Sequence, residues 1–206
     1  MNRPRRFSMI RSFHLADWIT VGNAVFGMGA IFSAMAYLQM PSDRSVLTLA
    51  CGLVVVALVL DVLDGKVARW RHQNSALGRE LDSLADVISF GAAPAAIAYA
   101  AGMNGLWDRV VLLFFVACGA SRLARFNVTA ADLAGDDGKV RYFEGTPIPT
   151  SVVLALLLAA AAWTGNIGEA LWGGAVTIGP GVLHPLSLLF ALSGSLMIST
   201  IRIPKP

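Results

Sequence analysis

The sequence predicts an all-α, polytopic membrane protein with six transmembrane helices, preceded by an N-terminal amphipathic segment at the membrane interface. Apolar residues make up 56% of the 206 residues and charged residues only 14%, and the mean hydropathy is +0.65. Soluble domains are more charged and less apolar than this. Because uncharged stretches close to bilayer length recur along the chain, we expect residues 1–206 to form a single membrane domain.

The predicted elements follow the apolar runs in order. Residues 1–17 are basic and amphipathic, as in a segment that lies on a membrane surface. Residues 18–206 hold the six predicted helices, at about 18–38, 46–63, 84–103, 108–128, 148–165 and 181–200. Residues 168–180 are expected to form an interfacial loop or to extend a neighbouring helix. No small-residue cleavage site follows a short apolar core near the N-terminus, so a signal peptide is not expected.

The basic residues predict the orientation of the chain. With six helices, one side holds both termini and the connections after helices 2 and 4, and with them fourteen of the sixteen Lys and Arg residues. Only Arg44 and Arg109 fall on the other side. Because cytoplasmic loops are enriched in Lys and Arg, we expect the connection between helices 2 and 3 to face the cytoplasm from the cell (inner) membrane. A net charge of +3 suits anionic lipid better than nucleic acid.

Four aspartates surround the connection between helices 2 and 3, in the segment DVLDGKVARWRHQNSALGRELDSLAD (61–86). Asp61 and Asp64 share one helix face at i, i+3, and Asp82 and Asp86 share another at i, i+4. A short turn between two antiparallel helices brings the four carboxylates to one end of the pair. Carboxylates at the end of an apolar helix are costly to desolvate, and hard oxygen ligands select Mg²⁺, Mn²⁺ or Ca²⁺. The spacing therefore predicts a divalent-metal site rather than an ordinary solvated loop.

The same segment resembles the signature of the CDP-alcohol phosphotransferase family. The pattern DxxDG, AR, GxxxD and xxxD has every fixed position filled, by Asp61, Asp64, Gly65, Ala68, Arg69, Gly78, Asp82 and Asp86. The resemblance implies an enzyme that transfers a phosphoryl-bearing group from a CDP-linked donor to an alcohol, releases CMP and requires a divalent metal. It also implies a homodimer.

The metal and the base are expected on the aspartates. Cleavage of a pyrophosphate concentrates negative charge that one or two divalent ions can neutralise, so we expect two Mg²⁺ or Mn²⁺ ions. Asp61, Asp64 and Asp82 are the first-choice ligands. By the resemblance, Asp86 is the catalytic general base for the attacking hydroxyl and an additional metal contact.

The donor nucleotide is expected beside the motif, at Asp64, Gly65, Ala68, Arg69, Gly78 and Asn23. The two glycines leave room for the nucleotide or its phosphates, or alternatively allow close helix packing. Arg69 is suited to a bidentate phosphate contact; otherwise it anchors the helix at the membrane surface. Asn23 in helix 1 is expected to reach the cytidine or a phosphate, or to form an interhelical hydrogen bond.

Three further stretches resemble the phosphatidylserine synthase branch of the family: GRELDSLADVISFGAAPA (78–95), CGASRLARFN (118–127) and YFEGTPIPTS (142–151). That branch converts CDP-diacylglycerol and L-serine into phosphatidylserine and CMP, and the resemblance implies the same substrates here. An ether-lipid equivalent of the donor fits the sequence equally well.

The acceptor pocket is expected near helix 4. Arg122 and Arg125 lie at i, i+3 and are suited to a carboxylate or a lipid phosphate, or else they extend to the membrane interface. Ser83 or Glu80 is expected to meet the serine ammonium. The segment FEGTPIPT is expected to form a kinked start of helix 5 that walls the pocket.

Two other functions stay open on the sequence. The acceptor can be glycerol 3-phosphate, inositol phosphate or choline, and a second phosphate would need a basic cluster such as Arg122, Arg125, Lys139 and Arg141. A divalent-cation transporter is the other alternative, but it would place its acids near the bilayer midplane among broken helices.

The cysteines and histidines carry no predicted chemistry. Cys51 and Cys118 lie inside apolar runs, so we expect core residues rather than a disulfide or a metal pair. The histidines are scattered without ligand spacing, so a zinc site is not expected.

Overall fold

The computed structural model describes residues 13–71, 76–132 and 142–204. Helices dominate this part of the chain: α1 (Leu15–Gln39), α2 (Arg44–Trp70), α3 (Ala76 to Ala100), α4 (Leu106–Asp132), α5 (Ile148–Thr164) and α6 (Pro185–Met197). The predicted all-α fold is confirmed. Most of the predicted amphipathic segment, together with Lys139 and Arg141, lies outside the described residues.

The prediction of an integral membrane protein is also confirmed. Among the described residues, the four helices α1 to α4 are long and apolar enough to cross a membrane, whereas α5 and α6 are apolar but shorter. Large apolar side chains cover the outside of the bundle; Leu113 is 71% exposed and Val153 is 68% exposed. Such a surface suits lipid rather than water. The chain is an integral membrane protein.

The helices next to the aspartates are longer than predicted. α1 begins at Leu15 because His14 and Asp17 form a capping box, in which the His14 backbone N–H donates to Asp17 Oδ2 at 2.7 Å. α2 continues past Asp64 to Trp70, a stretch in which Lys66, Ala68 and Arg69 are good helix formers. α3 already begins at Ala76. Both aspartate pairs therefore lie within helices, about two to three turns from the connection.

α3 changes its helix type in the middle. Residues Ala76–Asp86 are α-helical, Val87–Ala92 form a single π-helical turn, and Ala93–Ala100 return to the α-helix. α5 starts with a 3₁₀ turn over Ile148–Ser151 and then becomes α-helical. This irregular start agrees with the kink expected from the prolines of FEGTPIPT.

The bundle is organised around α1, which packs along both α2 and α3, while α4 packs against α6 and α5 against α2. Small residues line the closest contacts: Ala30, Ala50 and Ala57 are fully buried. Small side chains let membrane helices approach closely. Both cysteines are buried free thiols, as predicted.

Two short antiparallel ribbons were not predicted: β1 (Tyr142–Glu144) pairs with β4 (Arg202–Pro204), and β2 (Val176–Ile178) pairs with β3 (Gly181–Leu183). The second ribbon shows that residues 168–180 do not extend a helix. The buried carboxylate of Asp108 holds this ribbon against the start of α4, accepting from the His184 N–H and contacting His184 Nδ1, both at 2.7 Å.

Candidate active site

Three of the four predicted aspartates meet between α2 and α3. One carboxylate oxygen each from Asp61, Asp64 and Asp82 lie within 4.8 Å of one another. Asp61 and Asp64 lie one helical turn apart on α2, and Asp82 approaches from the first half of α3. Three carboxylates so close together repel one another unless a cation or protons neutralise them. The arrangement is compatible with a divalent metal, because hard cations bind carboxylate oxygens.

Asp64 is fixed by α1. The Thr20 hydroxyl donates to Asp64 Oδ2 at 2.7 Å and also reaches the Ala16 carbonyl at 3.1 Å. Asp64 is only 6% exposed and Thr20 only 4%. A hydrogen bond from a buried neighbour orients a ligating carboxylate and holds its second oxygen in place. α1 is thus a third wall of the site.

Asp86 lies one turn farther than Asp82 from the α2–α3 connection. The residue is 6% exposed, and its charge interacts with those of Asp61 and Asp82. Oδ1 of Asp86 and Oδ1 of Asp82 are buried and find no hydrogen-bond partner among the residues that the structure describes. Buried carboxylate oxygens are almost always paired. Two such oxygens without a partner are compatible with a ligand at this point.

Arg122 lies on α4 and interacts electrostatically with Asp86. Its guanidinium carbon lies 5.6 Å from the centre of the Phe126 ring. Its Nε is buried and has no hydrogen-bond partner in the described part of the chain. Arg125, predicted to act with it, is exposed. The structure brings Arg122, but not Arg125, into the buried part of the site.

Ser83 is turned toward α4 rather than into the aspartate cluster. Its hydroxyl contacts the side-chain amide of Asn127, which donates from Nδ2 to Ser83 Oγ at 3.0 Å and to Glu80 Oε2 at 3.1 Å. Both residues proposed for the serine ammonium are therefore joined to Asn127. This small polar network connects the first half of α3 to the last turns of α4, the end that the sequence predicts to face the cytoplasm.

Four of the six predicted nucleotide residues are partly or fully exposed, whereas the other two, Asp64 and Asn23, are buried. The nearest atom to a Cβ at Gly65 would be Arg69 Nη1, at 4.0 Å, so there is free space beside this glycine. Arg69 is exposed, while Ala68 and Gly78 are partly buried. Asn23 is fully buried on α1, and both polar atoms of its side chain have no partner within the described ranges.

The sequence analysis did not identify four polar residues that connect the helices around the site: Thr20, Ser89, Asn127 and Ser151. Each is a polar side chain in an apolar helix and hydrogen-bonds another helix. The available signal was the cost of a polar group in a membrane helix. Thr20 gave the clearest signal, because it lies at i, i−3 from Asn23, on the same face of α1.

The comparisons with known proteins agree with this geometry. The model of the CDP-alcohol phosphatidyltransferase family matches residues 13–192. The chain belongs to this family, and the family predicted from the aspartate motif is confirmed.

The particular relatives share one name. A protein of Saccharomyces cerevisiae is 43% identical over 97% of this chain and 74% of its own length. One of Helicobacter pylori is 39% identical over 90% of this chain and 70% of its own. One of Methanocaldococcus jannaschii is 33% identical over 97% of this chain and 78% of its own. Each is named CDP-diacylglycerol–serine O-phosphatidyltransferase, the branch that the sequence predicted.

Proposed function

We propose that this protein transfers the phosphatidyl group of CDP-diacylglycerol to L-serine, giving phosphatidylserine and CMP. The observation that carries the proposal is the meeting of Asp61, Asp64 and Asp82 within 4.8 Å in a membrane protein of the CDP-alcohol phosphatidyltransferase family. The names of the relatives support serine as the acceptor. An ether-lipid donor remains an equivalent substrate for the same groups.

The residues present fit a divalent cation. The donor set consists of carboxylates only, which favours Mg²⁺ or Mn²⁺ over softer metals, and buried oxygens of Asp82 and Asp86 lack partners in the described chain. We assign Asp61, Asp64 and Asp82 as ligands, with Asp86 as a further contact for a second ion. When bound, the cations neutralise the negative charge that develops on the phosphates of the donor.

The transfer itself needs a proton acceptor and an oriented nucleophile. Asp86 accepts the proton of the serine hydroxyl as the oxygen attacks the phosphorus of the phosphatidyl group. A new P–O bond to serine forms, the P–O bond to CMP breaks, and CMP leaves with the electron pair. Arg122 holds the serine carboxylate or the lipid phosphate beside this point. Its buried Nε has no hydrogen-bond partner among the described residues, and its charge interacts with Asp86.

The donor nucleotide is proposed to occupy the open region next to Gly65. There it would meet Gly65, Ala68, Arg69 and Gly78, and it would extend inward to the buried Asp64 and Asn23. Among the residues that the structure describes, the side-chain amide of Asn23 has no hydrogen-bond partner, which supports a ligand contact over an interhelical hydrogen bond. Serine is proposed to enter past Ser83 and Arg125. We also propose that the protein is a homodimer in the inner membrane, with this site facing the cytoplasm.

Release of CMP by the purified protein tests the function. The assay supplies CDP-diacylglycerol and Mn²⁺ or Mg²⁺, and offers L-serine, glycerol 3-phosphate, inositol phosphate or choline separately. We expect metal-dependent release with L-serine alone. Release with a different alcohol would support the transfer reaction but contradict serine as the acceptor. Metal transport into vesicles without any CMP release would contradict the enzyme and indicate a transporter.

Replacement of Arg122 by alanine tests the acceptor pocket. We expect the KM for serine to rise about 10- to 100-fold, because a charge-assisted hydrogen bond contributes roughly 1.5–3 kcal/mol. Arg109→Ala is the matched control, since Arg109 is an exposed arginine at the opposite end of the same helix. An unchanged KM for serine together with a raised KM for the donor would assign Arg122 to the lipid phosphate.

A further inference from the structure

The π-helical turn of α3 begins at Val87, directly after Asp86. π-helical turns are rare in proteins, and those that occur often lie at functional sites. Such a turn inserts one extra residue, which rotates the helix before it by about 100° relative to the helix after it, the angle of one residue at 3.6 residues per turn. The direction in which Asp82 and Asp86 point therefore depends on this turn.

Pro94 explains why the turn forms. In an α-helix, the carbonyl of Phe90 would accept from the N–H of residue 94, but proline has no N–H and its ring presses against that carbonyl. The helix widens instead, and the Ala93 N–H donates to Ile88 O, five residues earlier. Phe90 is fully buried, and an unpartnered buried carbonyl is costly.

Ser151, at the start of α5, supplies a donor to this carbonyl. Its hydroxyl donates to Phe90 O at 2.6 Å, and the residue is fully buried. On the other side of the turn, the Ser89 hydroxyl donates to the Asn23 carbonyl of α1 at 3.0 Å. A Cβ at Gly27 would collide with Ser89, so α1 lies tightly against the turn. The turn is thus held between α1 and α5.

We propose that Ser151 is a positioning residue for the transfer reaction: by bonding the Phe90 carbonyl, it fixes the π-helical turn and thereby aims Asp86 at the attacking hydroxyl. The inference rests on the proposed function, in which Asp86 takes the proton. Ser151 does not touch the substrate. Its effect passes through the backbone of α3.

The first experiment replaces Ser151 by alanine and measures CMP release. We expect kcat to fall about 10- to 100-fold, the effect of a misplacement of about 1 Å, while the KM values for serine and for the donor change less than about threefold. Ser151→Thr keeps the hydroxyl and should retain most of the activity. Ser187→Ala is the matched control, because Ser187 is equally buried and donates to a backbone carbonyl, His184 O, at 2.7 Å; its kcat should match the wild type.

The second experiment adds Pro94→Ala, which restores an N–H for the Phe90 carbonyl. Pro94→Ala alone should lower kcat because the turn can revert to α-helix. Ser151→Ala added to Pro94→Ala should lower kcat by less than twofold, and this double variant should fold even where Ser151→Ala alone does not.

The inference and the proposed function fail in different ways. A wild-type kcat in Ser151→Ala would overturn the positioning role but leave the proposed function intact. The same holds if the fold losses in kcat from Ser151→Ala and Pro94→Ala multiply in the double variant. An equal loss in Ser187→Ala would also overturn it, because that loss would be one of general stability. Absence of serine-dependent CMP release from the wild-type protein itself would overturn the function.

Discussion

Replacing Asp86 by asparagine is expected to lower kcat by about 10²- to 10⁴-fold, the usual contribution of a general base. Asparagine preserves the shape of the side chain but cannot accept the proton of the serine hydroxyl. Asp86 lies one turn beyond the cluster of three aspartates, so binding of the CDP-linked donor should be largely retained. The measurement is CMP release under saturating serine, together with binding of the donor by the same variant.

A buried carboxylate at the other end of the bundle provides the control. Asp108 is fully buried and bonded to His184, and Asp108→Asn should lower the melting temperature without lowering kcat per folded molecule. Loss of donor binding in Asp86→Asn would mean that the contact of Asp86 with the second ion, rather than proton transfer, accounts for the lost activity. Full activity of Asp86→Asn would remove it from the mechanism.

The aspartate cluster was predictable because its geometry is local. The i, i+3 and i, i+4 spacings determine which side chains share a helix face, and the apolar runs place both pairs beside the same connection. The motif therefore predicts that Asp61, Asp64 and Asp82 lie together, and in the structure their carboxylate oxygens are within 4.8 Å of one another. The lengths of α2 and α3 were less accessible, since polar helix ends have no apolar pattern.

The contacts between helices were not predictable in the same way. Ser151 bonds a carbonyl 61 residues away in the sequence, and Ser89 bonds one 66 residues away. Pro94 does indicate a disturbed helix, but whether it kinks or widens α3 depends on the donor that α5 supplies. Likewise, the partner of Ser83 could not be found without knowing that α4 brings Asn127 to it. Such pairings belong to the packing of the bundle.

Replacing Asp64 by asparagine is expected to weaken the metal and the donor together. Asp64 shares its carboxylate between the cluster, in which its oxygen lies within 4.8 Å of Asp61 and Asp82, and the hydroxyl of Thr20. Loss of an outer partner typically weakens metal binding 10- to 100-fold, so Thr20→Val should raise the Kd for Mn²⁺ about tenfold. Asp64→Asn, which removes the charge itself, should raise it by more than about 100-fold.

The order of the effects is the decisive result, and it is read from Mn²⁺ binding by electron paramagnetic resonance and from CMP release as the metal is titrated. Asp43→Asn is the matched control: Asp43 is an exposed cap at the other end of α2, its carboxylate bonds only the local Ser45, and asparagine caps helices as well as aspartate does. Its Mn²⁺ affinity should equal that of the wild type. If Asp64→Asn kept wild-type Mn²⁺ affinity but lost the donor, Asp64 would bind the nucleotide directly and the ions would depend on Asp61, Asp82 and Asp86.

The effect of Thr20→Val decides the role of α1. If Thr20→Val lowered the Mn²⁺ affinity more than Asp64→Asn does, the hydroxyl of Thr20 would itself contact the metal or the substrate. α1 would then contribute a ligand to the site rather than a wall.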